Sequence, residues 1–269
     1  MLVDTHCHLD AGEFDADRSQ MLQASRDAGV KAFVVPAIGV AHFDGVHRLV
    51  AEHDDIWFAL GIHPLLVDQS ADEDLPRLRQ AIEAALDHPR FVGLGEIGLD
   101  FFVPGLDLER QRHFFVEQMK LAREFELPVV LHVRRSVDAV AKELRRFRPV
   151  SGIAHAFNGS EQQAGQLIDL GLALGFGGAM TFTRALNIRR LATSLPLEAL
   201  VLETDSPDIS PAWRHPDRNT PAELPGIAQV LADLRGVSCE AVVAATAANA
   251  MRVLPALRKP TGSHLGASG

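Results

Sequence analysis

Leu2-Val3-Asp4-Thr5-His6-Cys7-His8 decides the fold: an apolar start that reads as a strand runs into an end made of metal-ligand chemistry. Alternate residues of a strand point the same way, so His6 and His8 project together. The pattern recurs. Gly95-Glu96-Ile97-Gly98 ends an apolar run that begins at Phe91, and Leu202-Glu203-Thr204-Asp205 ends another, with Glu203 and Asp205 on one face. Val129-Val130-Leu131-His132 and Gly152-Ile153-Ala154-His155 each finish on an imidazole. Five strand ends thus carry six candidate ligands, His6, His8, Glu96, His132, His155 and Asp205, and such donors suit a divalent transition metal.

Outward from these ends, short β-branched runs recur along the chain: Leu2 to Cys7, Ala32 to Ile38, Trp57 to Ile62, Phe91 to Ile97, Val129 to Val133, Gly152 to Ala154, Leu172 to Phe176 and Leu200 to Leu202. Helical patterns with charged outer faces separate them, over Asp17 to Ala28, Leu75 to Leu86, Leu108 to Phe125, Val137 to Phe147, Glu161 to Leu170 and Asn187 to Ser194. This alternation predicts an α/β protein. An open sheet cannot easily bring five strand ends to one ion cluster, whereas a closed (β/α)8 TIM barrel gathers them around one axis at the C-terminal ends of the strands. The expected division is one barrel over residues 1–257 and a short Gly- and Ser-containing tail over 258–269, expected to be disordered.

The 269 residues, 47% of them hydrophobic, match the roughly 250 residues of such a barrel. A formal net charge of -9 argues against a broadly basic surface that coats nucleic acid, so any phosphate-handling site must be local. Cys7 and Cys239 are far apart and in no metal-binding spacing, and the strand parity of Cys7 sends it outward into the helix layer. With no basic leader and no long apolar span, the expected location is the cytoplasm, with no membrane association and no obligate protein partner.

Six protein ligands exceed the needs of one catalytic zinc, which keeps three and leaves room for water. Two ions sharing a bridging ligand are the economical solution. None of Lys31, Lys120, Lys142 and Lys259 stands at the C-terminal end of a strand, where a carboxylated lysine could bridge, so Glu96 is the candidate bridge. The division that follows is His6, His8, Glu96 and Asp205 on one ion and Glu96, His132 and His155 on the other. Zinc, manganese and magnesium all accept such mixed donors.

These residues also carry a family resemblance. DTHCHLD (4–10), GIHP (61–64), GEIGLDF (95–101), LPVVLHVR (127–134), HAFNGS (155–160) and LETDSP (202–207) resemble the motifs of the TatD family of metal-dependent deoxyribonucleases, in order. The likeness covers about residues 2 to 255, including Arg218-Asn219-Thr220-Pro221 and a closing helix with Asn249. It implies an amidohydrolase-type TIM barrel, dependence on divalent metal, and hydrolysis of phosphodiester bonds in DNA, often from the 3' end. Two positions depart from the family: Leu65 follows the third-strand motif, and His132-Val133-Arg134-Arg135-Ser136 lacks an acidic residue.

Around the ligands, Asp4 is placed to accept the spare imidazole N–H of a ligand, and Glu203, two residues below Asp205, to steer a ligand or a water. Asp205, Glu96 and Glu203 are the candidate catalytic groups, with Asp205 as proton acceptor. Arg134, two residues past His132, is a candidate phosphate clamp, and His63 a hydrogen-bond donor beside the metals. Asn158, in a loop whose Ser160 and Gln163 have capping-box spacing, and Arg184 complete the candidate substrate contacts. Asp208 to Thr220 reads as a Pro-rich loop at the mouth. Single-stranded DNA or a 3' end is the expected substrate. The alternative is an acyl hydrolase acting on an aminoacyl-tRNA, amide or lactone through the same residues.

Overall fold

The computed structural model describes residues 1–258. Eight parallel strands follow one another in chain order around one sheet: β1 (Leu2–Asp4), β2 (Val30–Pro36), β3 (Ile56–Leu60), β4 (Phe91–Asp100), β5 (Val129–Arg134), β6 (Gly152–Ala154), β7 (Leu172–Phe176) and β8 (Leu200–Leu202). Thr5 N donates to Leu202 O at 3.1 Å and Asp205 N to His6 O at 2.8 Å, which joins the last strand to the first. The expected (β/α)8 TIM barrel is the observed architecture.

The helices are α1 (Arg18–Asp27), α2 (Phe43–Glu52), α3 (Asp74–Ala85), α4 (Leu108–Glu124), α5 (Val137–Phe147), α6 (Glu161–Asp169), α7 (Leu186–Ser194), α8 (Leu224–Arg235) and α9 (Cys239–Val253). Helices α2 and α8 are not among the ranges named from the sequence, and at α2 Gly45 and the short spacing between strands obscure the pattern. Phe43, Val46, Leu49 and Val50 of α2 are nevertheless spaced to bury one helical face, and all four are buried. Ser160 and Gln163 form the expected capping box at the start of α6.

Two apolar layers result from strands that are buried on both faces. Inside the barrel, Val3, Val34, Val92, Val130, Ile153, Ala173 and Val201 pack together. At the N-terminal end of the strands, Ala250, Val253 and Leu254 close the floor beneath them. Asn249 Nδ2 fixes α9 there by donating to Leu197 O and Leu200 O at 2.8 Å each. The second layer lies between sheet and helices and contains Phe33, Phe58, Leu131 and Leu174. Cys7 belongs to it, as its parity predicts, and both cysteines are free.

With the floor filled, the His, Glu and Asp side chains singled out above gather at the C-terminal ends of the strands. Among the described residues no helix is long and apolar enough to cross a membrane. Arg258 ends a 3-10 turn over Pro255–Arg258; the rest of the expected tail, Lys259 included, lies outside the described residues.

Candidate metal centre

A β-bulge places the central carboxylate. Strands β4 and β5 pair as Leu94 with Val129 and then Ile97 with Leu131, so β4 carries one extra residue between those points. Leu94 and Ile97 both face the helix layer. Simple alternation from Leu94 would send Glu96 outward as well, and the extra residue turns it into the mouth. Gly98, at φ 149°, makes the close approach possible, because a Cβ there would sit 2.0 Å from His132 O.

Glu96 is 1% exposed, and its two oxygens face different neighbours. Oε2 lies 3.1 Å from His6 Nε2 and 3.5 Å from His8 Nε2. Oε1 lies 2.9 Å from His132 Nδ1, 2.9 Å from His155 Nε2 and 3.2 Å from His63 Nε2. Asp205 Oδ1 completes the first group at 3.5 Å from His6 and 3.6 Å from His8. All six sequence-predicted ligands therefore meet, with potential ligand atoms in three overlapping sets: His6–His8–Glu96, His6–His155–Asp205 and His63–Glu96–His132. His155 sits between the halves, its ring stacked on that of His6 with centroids 3.9 Å apart.

His63 reaches the cluster, but its hydrogen bonds fix its role. Leu65 N donates to His63 Nδ1 at 3.2 Å. The proton of the neutral ring therefore sits on Nε2, which makes that nitrogen a donor toward Glu96 rather than a lone pair for a metal. His132 is oriented from its other side by Asp100, a residue the sequence reading missed. Asp100 Oδ2 lies 2.9 Å from His132 Nε2, while its Oδ1 accepts the amides of Phe102 at 2.8 Å and Val103 at 3.0 Å. An acceptor there holds the His132 proton on Nε2 and turns the Nδ1 lone pair to the cluster. The signal was present: Asp100 is four residues past Glu96, on the same strand parity.

Glu203 stands behind His155. Its Oε1 accepts the Ala156 amide and lies 3.7 Å from His155 Nδ1, while Oε2 has no hydrogen-bond partner among the described residues. Gly175 on β7 leaves the space for it, since a Cβ there would fall 2.1 Å from Glu203 Oε2. The expected role of Asp4 is corrected. Its carboxylate accepts Thr204 N at 3.0 Å, Thr204 Oγ1 at 2.6 Å and the His6 backbone amide at 3.3 Å, so it braces the β1 and β8 ends and, among the described residues, accepts no hydrogen bond from an imidazole. Burial pushes Asp4 up to about 7 despite these bonds.

Burial opposes charge on every group in the cluster, and the neighbouring carboxylates and imidazoles outweigh it at His8, His132, His155, Glu96 and Asp205. His8 is pushed up to about 10 against burial by Asp205 and Glu96. His155 also rises against burial, through Glu96 and Asp205, and His132 through Asp100 and Glu96. Burial prevails at His6 and His63, which fall. Glu96 is held well below the usual carboxylate range, against burial, by His155, His63 and His6. Positive charge is thus favoured at the centre. His6 Nε2 and His8 Nε2 face each other at 3.2 Å, and His132 Nδ1 and His155 Nε2 at 3.4 Å. Buried imidazole nitrogens that face one another beside carboxylate oxygens are donors of the kind a divalent metal takes, so the donor set fits metal.

The expected substrate groups lie around this centre. Arg134 ends β5 half exposed, with Nη1 4.0 Å from Asp100 Oδ2 and its guanidinium 3.8 Å from the centre of the Phe102 ring. Asn158 Oδ1 accepts from Asn187 Nδ2 at 2.9 Å, which ties its loop to α7. Arg184 lies over Phe182, beyond β7. Neither Asn158 nor Arg184 is hydrogen-bonded to the metal centre among the described residues.

A parallel barrel with buried imidazoles and carboxylates at its C-terminal mouth defines the class of metal-dependent hydrolase barrels. The chain belongs to the TatD related DNase family, whose sequence pattern matches residues 3–255. Relatives include the uncharacterized metal-dependent hydrolase YjjV of Escherichia coli K12, 39% identical over 234 residues that span 87% of this chain and 90% of the relative. The 3'-5' ssDNA/RNA exonuclease TatD of Pantoea sp. is 31% identical over 94% of this chain and 98% of its own length. The crystal structure of Escherichia coli YjjV, a TatD homologue, superposes with a TM-score of 0.90 at 36% identity, over 94% of this chain and 98% of that one. The protein is a metal-dependent hydrolase of this family.

Proposed function

We propose that the centre holds two divalent cations and hydrolyses phosphodiester bonds at the 3' ends of single-stranded DNA. The division of Glu96 carries the reading, with one oxygen directed at His6 and His8 and the other at His132 and His155. One half comprises His6, His8, Glu96 and Asp205, the other Glu96, His132 and His155, and zinc, manganese or magnesium suits the donors. Two such ions supply Lewis acidity at phosphoryl oxygens and lower the pKa of the attacking water.

The protein's own groups do the rest. Asp205 remains ionised, because His155, His8 and His6 outweigh the opposing effect of its burial, and it accepts the proton of the attacking water. Its backbone sits at φ 57°, a left-handed conformation that Asp tolerates, and this turns the carboxylate toward His6 and His8. Glu203 holds the turn after His155 through the Ala156 amide. His63 Nε2 donates to Glu96 Oε1 or to an incoming substrate oxygen. Arg134 offers its guanidinium to a non-bridging phosphate oxygen. The name of the Pantoea relative points the same way, and the net charge of -9 suits an end-on grip better than tracking along a duplex. The test is to supply the purified protein with manganese or zinc and assay 3'-labelled single-stranded DNA beside a panel of acyl esters. Stepwise loss of 3' nucleotides is expected, and turnover confined to the acyl esters would overturn the reading.

A further inference from the structure

The segments after β7 and β8 enclose a cleft of about 720 Å³ at the same mouth of the barrel, within the size range of small-ligand sites. It begins where the metal centre ends. Pro207 and Asp208 line it, two and three residues past Asp205, and Asp208 N donates to Asp205 O at 2.9 Å. Glu13, five residues past His8, lines it as well. The cleft therefore adjoins the His8 and Asp205 side of the centre, whereas Arg134 adjoins the His132 side through Asp100.

The lining combines a flat apolar surface with one uncommitted cation. Phe182, Ile188 and Ile209 supply the apolar wall, and the Phe182 ring meets His215 edge-on with centroids 5.7 Å apart. Arg218 also lines the cleft, but it is bound to Glu13 O and Asp17 and packs over Phe14. Arg184 differs. Its guanidinium is 5.7 Å from the centre of the Phe182 ring, and among the described residues it makes no ion pair or hydrogen bond. A purely apolar ligand would leave Arg184, Asp208 and Asp217 unanswered at the rim. A nucleotide meets each demand, with a π face for Phe182, polar base edges for the rim, and a phosphate for Arg184.

We propose that this cleft is the subsite for the terminal nucleotide of the substrate strand, with its base stacked on Phe182 and Arg184 pairing with the phosphate beside it. The strand then crosses the metal centre from the Arg134 side toward the cleft. The proposal rests on the phosphodiester reading, and its test separates the two. Metal-loaded wild type, Phe182→Ala and Phe182→Tyr are titrated calorimetrically with thymidine 5'-monophosphate and with deoxyribose 5-phosphate. The same proteins are assayed on oligonucleotides that end in a 3' thymidine or a 3' abasic residue. Wild type should bind the nucleotide roughly 5- to 150-fold more tightly than the sugar phosphate, the range for one base stacked on an aromatic ring. Phe182→Ala should erase that preference without weakening the sugar phosphate, Phe182→Tyr should retain it, and KM for the two oligonucleotides should follow. Equal binding of the two probes by wild type, or an unchanged preference in Phe182→Ala, would overturn the subsite even if DNA is cleaved. A Phe182-dependent preference without cleavage of either oligonucleotide would keep the subsite and remove the nuclease reading.

Discussion

Asp100→Asn is the most informative single substitution around the metal centre. The carboxylate is fully buried and only accepts: from His132 Nε2 at 2.9 Å, and from the amides of Phe102 and Val103. Asn keeps the shape and can still accept both amides through its oxygen, but it then aims an NH2 group at His132 Nε2. The ring answers by moving its proton to Nδ1, where it faces Glu96 Oε1 at 2.9 Å and blocks the lone pair that serves the centre. Losing a charge-assisted hydrogen bond costs roughly 1.5–3 kcal/mol, which corresponds to about a 10- to 100-fold loss of metal affinity. The loss should fall on the His132 half alone. Calorimetric titration of chelator-treated protein with manganese should resolve two binding events in wild type and one weakened event in the variant. Two unchanged events, or two weakened equally, would refute the positioning role. The pH dependence has a definite sign. Burial works against ionisation of Asp100, but His132 and the two amides hold it at about 2, below its ordinary 3.8. The stability it lends is therefore complete above about pH 4 and lost as pH falls through about 2, so wild type and variant should converge in acid.

Asp205→Asn should lower turnover at least about 100-fold, the lower range for loss of a positioned proton acceptor, while substrate binding measured at equilibrium persists; near-normal turnover would remove Asp205 from the chemistry. Gly175→Ala should destabilise the fold by about 1–3 kcal/mol through overpacking against Glu203, and Glu203→Ala should relieve part of that cost in the double variant. Additive denaturation midpoints would show that the two positions do not clash. Arg134→Lys should raise KM for DNA ends and leave turnover of an uncharged ester nearly intact, because lysine cannot reproduce a paired guanidinium contact; equal losses would make Arg134 a support of Asp100 instead.

Much of this site was legible because the barrel places chemistry at strand ends, and an apolar run closed by His or Glu marks such an end. The strand-end candidates His132 and His155 were read this way, and β6 to β8 have the expected bounds. Parity explains less than it promised. Strand β1 ends at Asp4, so His6 and His8 lie beyond it, and the positive φ of Asp205 breaks the alternation with Glu203. Their convergence comes from closure of the ring, through Thr5 to Leu202 and Asp205 to His6, a long-range pairing that local pattern does not contain. The bulge at Glu96 and the pairing of Asp100 with His132 depend on the register of β4 against β5, and the space for Glu203 depends on Gly175 one strand away. Asp4 was misread because its neighbour Thr204, 200 residues later, claims both carboxylate oxygens.

The division of Glu96 between two donor sets is tested most directly by anomalous diffraction from crystals of manganese- or zinc-saturated protein. The proposed function predicts two anomalous peaks, one among His6, His8 and Asp205 and one among His132 and His155, with one Glu96 oxygen directed to each. A single fully occupied peak, or a Glu96 carboxylate turned away from both, would contradict it.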